Sequence, residues 1–152
     1  MNHSPIEIFN NVWILCGIAS WGVAQFCKLI SGFIQTRDVD FAYLVSTGGM
    51  PSAHSASMSG LATGIGMTHG FASPLFAIAF ALAVVTMFDA STIRLAAGKQ
   101  AQILNEIVRT IRTEHRMPAK PLKELLGHTR FEVFMGMIIG IMTAVNIMAR
   151  LR

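Results

Sequence analysis

Two histidines in this chain stand where an imidazole can do chemistry. His54 closes the stretch Gly48-Gly49-Met50-Pro51-Ser52-Ala53-His54. The two glycines suit a turn, and Pro51 suits the first turn of a helix. Ser52 and His54 then fall in that first turn, where backbone N–H groups and the positive dipole end favour a phosphate. A histidine there can donate a proton. The same pattern also describes a capped helix start with an incidental histidine. His128 lies in Gly127-His128-Thr129-Arg130-Phe131-Glu132, four residues before Glu132. The two meet on one face if a helix begins here. A carboxylate bonded to one ring nitrogen fixes the tautomer and makes the other nitrogen a better base or nucleophile. The plainer alternative is an ordinary surface pair.

Cations accompany both. Phe88-Asp89-Ala90-Ser91-Thr92-Ile93-Arg94 continues through Gly98, Lys99, Gln100 and Ala101 to Asn105. Arg94, Gly98, Ala101 and Asn105 share one helix face, and Asp89 and Gln100 share another. Arg94 could clamp a phosphate with its planar fork, or pair with Asp89 and merely end a helix. Lys28 stands in an otherwise apolar stretch, either as a functional cation or with its ammonium reaching to the interface. Two histidines with Arg and Lys make a site for a phosphate monoester. One imidazole attacks, the other protonates the leaving oxygen, and the cations hold the remaining oxygens. His3, His69 and His115 lie outside this set. Cys16 and Cys27 both fall inside one apolar stretch and read as small packing residues, not as a metal or disulfide pair.

The elements that must position these groups follow from the charge pattern. Of 152 residues, 53% are hydrophobic and 13% charged, about half the charge of a soluble domain. That composition disfavours a soluble enzyme, a disordered chain and a nucleic-acid binder. Stretches free of Asp, Glu, Lys and Arg run for 20 residues after Glu7, 48 after Asp40 and 17 after Glu132. A span needs about 20 mainly apolar residues, and the longest stretch is broken by a Gly- and Pro-bearing turn at 66–74. Four spans result, at roughly 10–33, 51–68, 74–93 and 132–149. A soluble bundle would instead show polar positions at helical spacing inside these stretches. The first span lacks the cationic start of a cleaved signal peptide.

The second span is built from small residues, with Gly60 and Gly64 at the spacing that lets helices approach closely in lipid, and Gly136 and Gly140 repeat that spacing on the fourth. In 94–127, Leu104, Ile107, Val108 and Ile111 recur at helical spacing beside Arg109, Arg112 and Arg116. This predicts an interfacial helix, ended by Pro118 and Pro121. Ten of the 12 basic residues then fall on one side of the membrane, which the basic-residue bias makes cytoplasmic, with both termini opposite. The fold class expected is an all-α integral membrane bundle of about four transmembrane helices plus a cytoplasmic interfacial helix (94–131 being the cytoplasmic segment), as one domain over 1–152. With four spans, His54, Arg94 and His128 converge on one side.

At these residues the sequence resembles a divergent branch of the type-2 phosphatidic acid phosphatase superfamily, whose wider members include lipid phosphate phosphatases and vanadium haloperoxidases. The resemblance rests on 48–56, on Phe-Asp-Ala with Arg94 and Ala-Gly-Lys-Gln-Ala across 88–101, and on Lys-Glu-Leu-Leu-Gly-His-Thr at 123–129. It covers about residues 10–149. It implies a membrane phosphatase acting on a lipid phosphate, with a phosphohistidine at His128, Glu132 as its acidic partner and His54 as general acid. Ser52, Arg94, Lys28, Lys123 and Lys99 would bind phosphate, with Gly48, Gly49, Pro51, Asp89 and Asn105 in support. It implies no cofactor and no metal, and a site on the cytoplasmic side of a bacterial inner membrane. Three departures stand out. Ala53 replaces a usual Gly. Lys28 and Arg37 echo the family's Lys and Arg-Pro motif only loosely. Leu122 stands where an Arg normally precedes the nucleophilic His, so Lys123 or Arg94 would have to substitute. Four spans, where larger members commonly have six, imply a reduced core or a homodimer that completes the site. The alternative reading is a lipid-phosphate binder or transporter of the same fold with weak or no catalysis. A third is a structural partner of another membrane protein.

Overall fold

The computed structural model describes residues 5–37, 49–114 and 127–151. Among the described residues a short 3₁₀ turn, Pro5–Asn10, leads into five helices. These are α1 (Val12–Thr36), α2 (Ala53–His69), α3 (Pro74–Ser91), α4 (Ile93–Glu114) and α5 (Arg130–Arg150). The starts are chemically marked. The Asn11 side chain accepts from the backbone of Trp13 and Ile14. Ser52 and Ser73 cap α2 and α3, the latter with Pro74 in the first turn. Thr129 and Glu132 form a reciprocal capping box on α5.

The fold is a helical membrane bundle. Val12–Ile34, Pro74–Ile111 and Arg130–Arg150 are long and apolar enough to cross a bilayer. The stretch Pro74–Ile111 joins α3 and α4, which Thr92 alone separates. Helix α2 has 17 residues and falls outside that set. It lies at the centre, packed by α1, α3 and α5, so its surface meets protein on several sides and small residues serve it better than bulky ones.

Helix contacts here depend on backbone approach. A Cβ on Gly140 would run into the Ser59 hydroxyl and the Ala56 carbonyl, and one on Gly136 into the Ser52 carbonyl. On the other side of α2, a Cβ on Gly60 would meet the Ser20 hydroxyl. Serines fill the seams that the glycines open. Ser20 Oγ donates to the Cys16 carbonyl at 2.6 Å and lies 3.3 Å from the Gly140 carbonyl. Ser59 Oγ lies 2.7 Å from the Ser55 carbonyl and 3.1 Å from that of Met137 on α5. Small residues and hydroxyls are what hold helices together where lipid removes the hydrophobic incentive. At the far end of α2, Trp13 Nε1 donates to Thr68 Oγ1 at 2.8 Å, and the Trp13 and His69 rings meet edge-on at 4.8 Å.

Among the described helices, α4 packs on α3 alone, and Ile103, Leu104, Ile107, Val108 and Ile111 are exposed. The prolines expected to end this segment, together with Gly48, Leu122 and Lys123, lie outside the described residues.

These contacts separate two glycine substitutions. Gly140→Ala pushes α5 off α2 and lowers stability by about 1–3 kcal/mol. Gly22 has nothing within 4 Å of an added Cβ, so Gly22→Ala is neutral or stabilises by up to about 1 kcal/mol. Unfolding of the purified chain in detergent measures both. Equal effects would contradict the packing described.

Candidate functional site

Polar groups from all five helices meet at one end of the bundle. The start of α5 sets the geometry. Thr129 N donates to Glu132 Oε2 at 2.9 Å, and Glu132 N donates back to Thr129 Oγ1 at 3.3 Å. The same Oε2 lies 3.2 Å from His128 Nδ1. One carboxylate oxygen thus closes the helix cap and holds the imidazole. The backbone N–H of His128 donates to the Ala90 carbonyl at 2.9 Å, tying it to the end of α3. Gly127 adopts φ +94°, and a Cβ there would strike the Arg94–Leu95 backbone. The segment entering α5 therefore lies directly on the α3–α4 junction, and glycine meets both the conformational and the steric demand.

Helix α2 joins through its cap. Ser52 N donates to the Glu132 carbonyl at 3.1 Å, and Ser55 Oγ lies 3.0 Å from Ser52 Oγ. Ser52 and Ser55 are fully buried, and His128 is 2% exposed. From α1, Lys28 (3% exposed) passes about 3.9 Å from where a Cβ on Gly49 would stand. Ser31 Oγ lies 3.0 Å from the Met50 carbonyl and holds that turn against α1. His54, in the first turn of α2, is exposed. Arg94, Lys28 and Asp89 all act on it electrostatically, and Lys28 and His54 act on His128. Arg94 Nε donates to Asp89 Oδ2 at 2.7 Å, with both side chains partly open to solvent.

Burial pushes the His128 imidazole below its ordinary value of 6.5. The Glu132 bond and charge pull the other way, while Lys28 and His54 add to the lowering. At neutral pH the ring is therefore uncharged. Its Nδ1–H donates to Glu132, and Nε2 carries a free electron pair. Such an arrangement can act as a base or a nucleophile toward an electrophile held by the α2 N-terminus and the cations.

The structure thus brings together Lys28, Gly49, Pro51, Ser52, His54, Asp89, Arg94, His128 and Glu132. Lys99 is exposed on α4, one turn beyond Arg94. Asn105 is not brought to this cluster. It stands about 16 Å farther along α4 by helical rise and lines a pocket of about 250 Å³ with Gln102, Glu106 and Arg109. Gly48 and Lys123 lie outside the described residues. Three participants lie in the stretches that carry the resemblance but have no role assigned from sequence. They are Ser55, the Ala90 carbonyl and Gly127. Gly127 had the clearest local signal, a glycine immediately before a histidine and a helix cap.

The sequence profile of the family described as "Divergent PAP2 family" matches residues 9–143. The "Uncharacterized membrane protein YuiD" of Bacillus subtilis (strain 168) is 40% identical over 148 residues, covering 90% of this chain and 94% of that protein. No solved structure matches.

Because Glu132 raises the affinity of His128 for a proton, Glu132→Gln lowers it further. Titration of the ¹⁵N-labelled imidazole by NMR is expected to show wild-type His128 protonating only below the ordinary histidine range, and the variant at still lower pH. The sign also governs stability. A histidine with a lowered folded-state value costs nothing above its ordinary value and destabilises the fold as pH drops through and below it. An upward move on Glu132→Gln would contradict the pairing.

Proposed function

The chain belongs to the divergent PAP2 family, and on that premise we propose that it is a membrane phosphatase that hydrolyses a lipid phosphate monoester through a phosphohistidine. The observation that carries this reading is the buried, uncharged His128 held at Nδ1 by Glu132 beside a second histidine and two cations. His128 Nε2 attacks phosphorus and the bond to the leaving ester oxygen breaks. His54, whose protonated form the negative charge of the bound phosphate favours, gives its proton to that oxygen, releasing the lipid alcohol. The Glu132 carboxylate stabilises the positive charge that develops on the His128 ring. Water then attacks the phosphohistidine, His54 takes its proton, and orthophosphate leaves with His128 restored. Lys28, Arg94 and the N-terminus of α2 stabilise charge on the phosphoryl oxygens. The clustering of basic residues after span three supports a site facing the cytoplasm of a bacterial inner membrane.

One observation favours the second reading, a lipid-phosphate binder or transporter. The Arg94 Nε is engaged by Asp89 at 2.7 Å, so a phosphate must compete with a carboxylate for it. That reading requires binding and movement of lipid phosphate without turnover.

Purified protein supplied with lipid phosphates decides between them. The phosphatase reading requires phosphate release, an acid-labile phosphoenzyme that His128→Ala abolishes, and a loss of about 10²–10⁴-fold in kcat for His54→Ala. If His128→Ala protein releases as much phosphate as wild type, the mechanism is wrong. If a homodimer completes the site, mixing the two single variants restores turnover that neither has alone.

A further inference from the structure

Below the polar cluster, a groove of about 490 Å³ runs between α2, α3 and α5. Its near end lies on the same helices as the site, close to it in sequence. Met87 lines it two residues from Asp89, and Met137 lines it one residue beyond Gly136, which rests on Ser52. The groove follows α3 from Met87 back to Phe76, and α5 from Met137 to Val145. By helical rise that is about 12–16 Å, and the groove ends at the turn between α2 and α3, the end of both helices away from the cluster. Both α3 and α5 pack mainly on α2 and only slightly on each other. Phe80, Ile141 and Val145 on its lips are exposed, so the groove opens sideways to lipid. Its lining is aromatic, aliphatic and methionine-rich, a surface that adapts to a flexible apolar chain.

Two aromatic rings stand at the far end. The rings of Phe71 and Phe76 meet edge-on at 5.1 Å, and a Cβ on Gly66 would meet both. They therefore lie against the backbone of α2 at Gly66.

We propose that this groove holds one acyl chain of the lipid whose phosphate occupies the His54–His128 cluster, and that Phe71 and Phe76 form a stop that sets the longest chain accommodated. This rests on the phosphate reading above and deepens it. The substrate class becomes a phosphate monoester on an acyl or alkyl chain that lies along α2 toward the turn between α2 and α3, drawn in from the side.

The test uses the full chain in detergent with inorganic phosphate and a series of alkyl phosphonates of graded length, which cannot be hydrolysed. Calorimetry reads the dissociation constants. Affinity is expected to rise with chain length and level off once the chain reaches the phenylalanines. Ile141→Trp and Thr63→Phe add bulk from opposite walls. Each weakens the longest phosphonate by about tenfold or more, the equivalent of a few buried methylenes, and leaves inorganic phosphate unaffected. Phe76→Ala moves the levelling-off to longer chains. Phosphate binding with no dependence on chain length, or unchanged long-chain binding in both filled variants, overturns the groove and leaves the headgroup site standing. An unmoved plateau in Phe76→Ala overturns the stop. Absence of binding by phosphate and every phosphonate removes the headgroup reading and this proposal with it.

Discussion

At Gly136 the backbone of α5 lies against the carbonyl of Ser52, and at Gly140 against that of Ala56. At these two positions α5 places no side chain between the helices. That approach lets Ser52 N reach the Glu132 carbonyl, and so brings the N-terminus of α2 beside His128. The rest of the polar end depends on it. With a larger residue at Gly136, the α2 dipole, the Ser52 cap and the imidazole would no longer share one space. Lipid gives helices little reason to associate by burying apolar surface, so the approach must come from shape and from hydroxyls such as Ser20 and Ser59 that bond across the seam.

The same low-dielectric setting makes every buried polar group consequential. His128 has its Nδ1 partner, its backbone partner on α3 and the cap of α5 built into a few residues. Burial keeps the ring uncharged against the opposing pull of Glu132. Lys28 comes from α1, Arg94 from α4 and His54 from α2, so no single helix carries the local charge balance. A dianionic phosphate suits this arrangement because it supplies negative charge where two cations and a helix N-terminus converge. The Asp89–Arg94 pair occupies the more open edge, where solvent lowers the cost of exchanging one anion for another.

Much of the helical architecture was legible because membranes restrict composition. The long stretches free of charge announce spans, and Ser73-Pro74 and Thr129 with Glu132 announce helix starts through the capping chemistry they carry. The small-residue character of 52–66 pointed to close packing, and α2 lies at the centre of the bundle. The pairing of His128 with Glu132 was legible from a spacing of four. The Ala90 carbonyl, Ser55 and the seat of Gly127 on the Arg94–Leu95 backbone were not. They depend on where separate segments meet, and no local pattern records that. Asn105 shows the opposite error. It shares a helix face with Arg94, but a face continues along the whole helix, and by Asn105 it has left the cluster.

By itself, then, the sequence determined the class of environment, the helical fold and the residue types able to handle a phosphate, because hydropathy and capping are local properties of the chain. Only the tertiary structure decided which of those residues stand together, how deeply His128 is buried, and that an apolar groove lies between α2, α3 and α5. Those outcomes come from backbone contacts between residues far apart in sequence, such as Ser52 with Glu132 and Ala90 with His128. They also come from the gap left where α3 and α5 both lean on α2 and only slightly on each other.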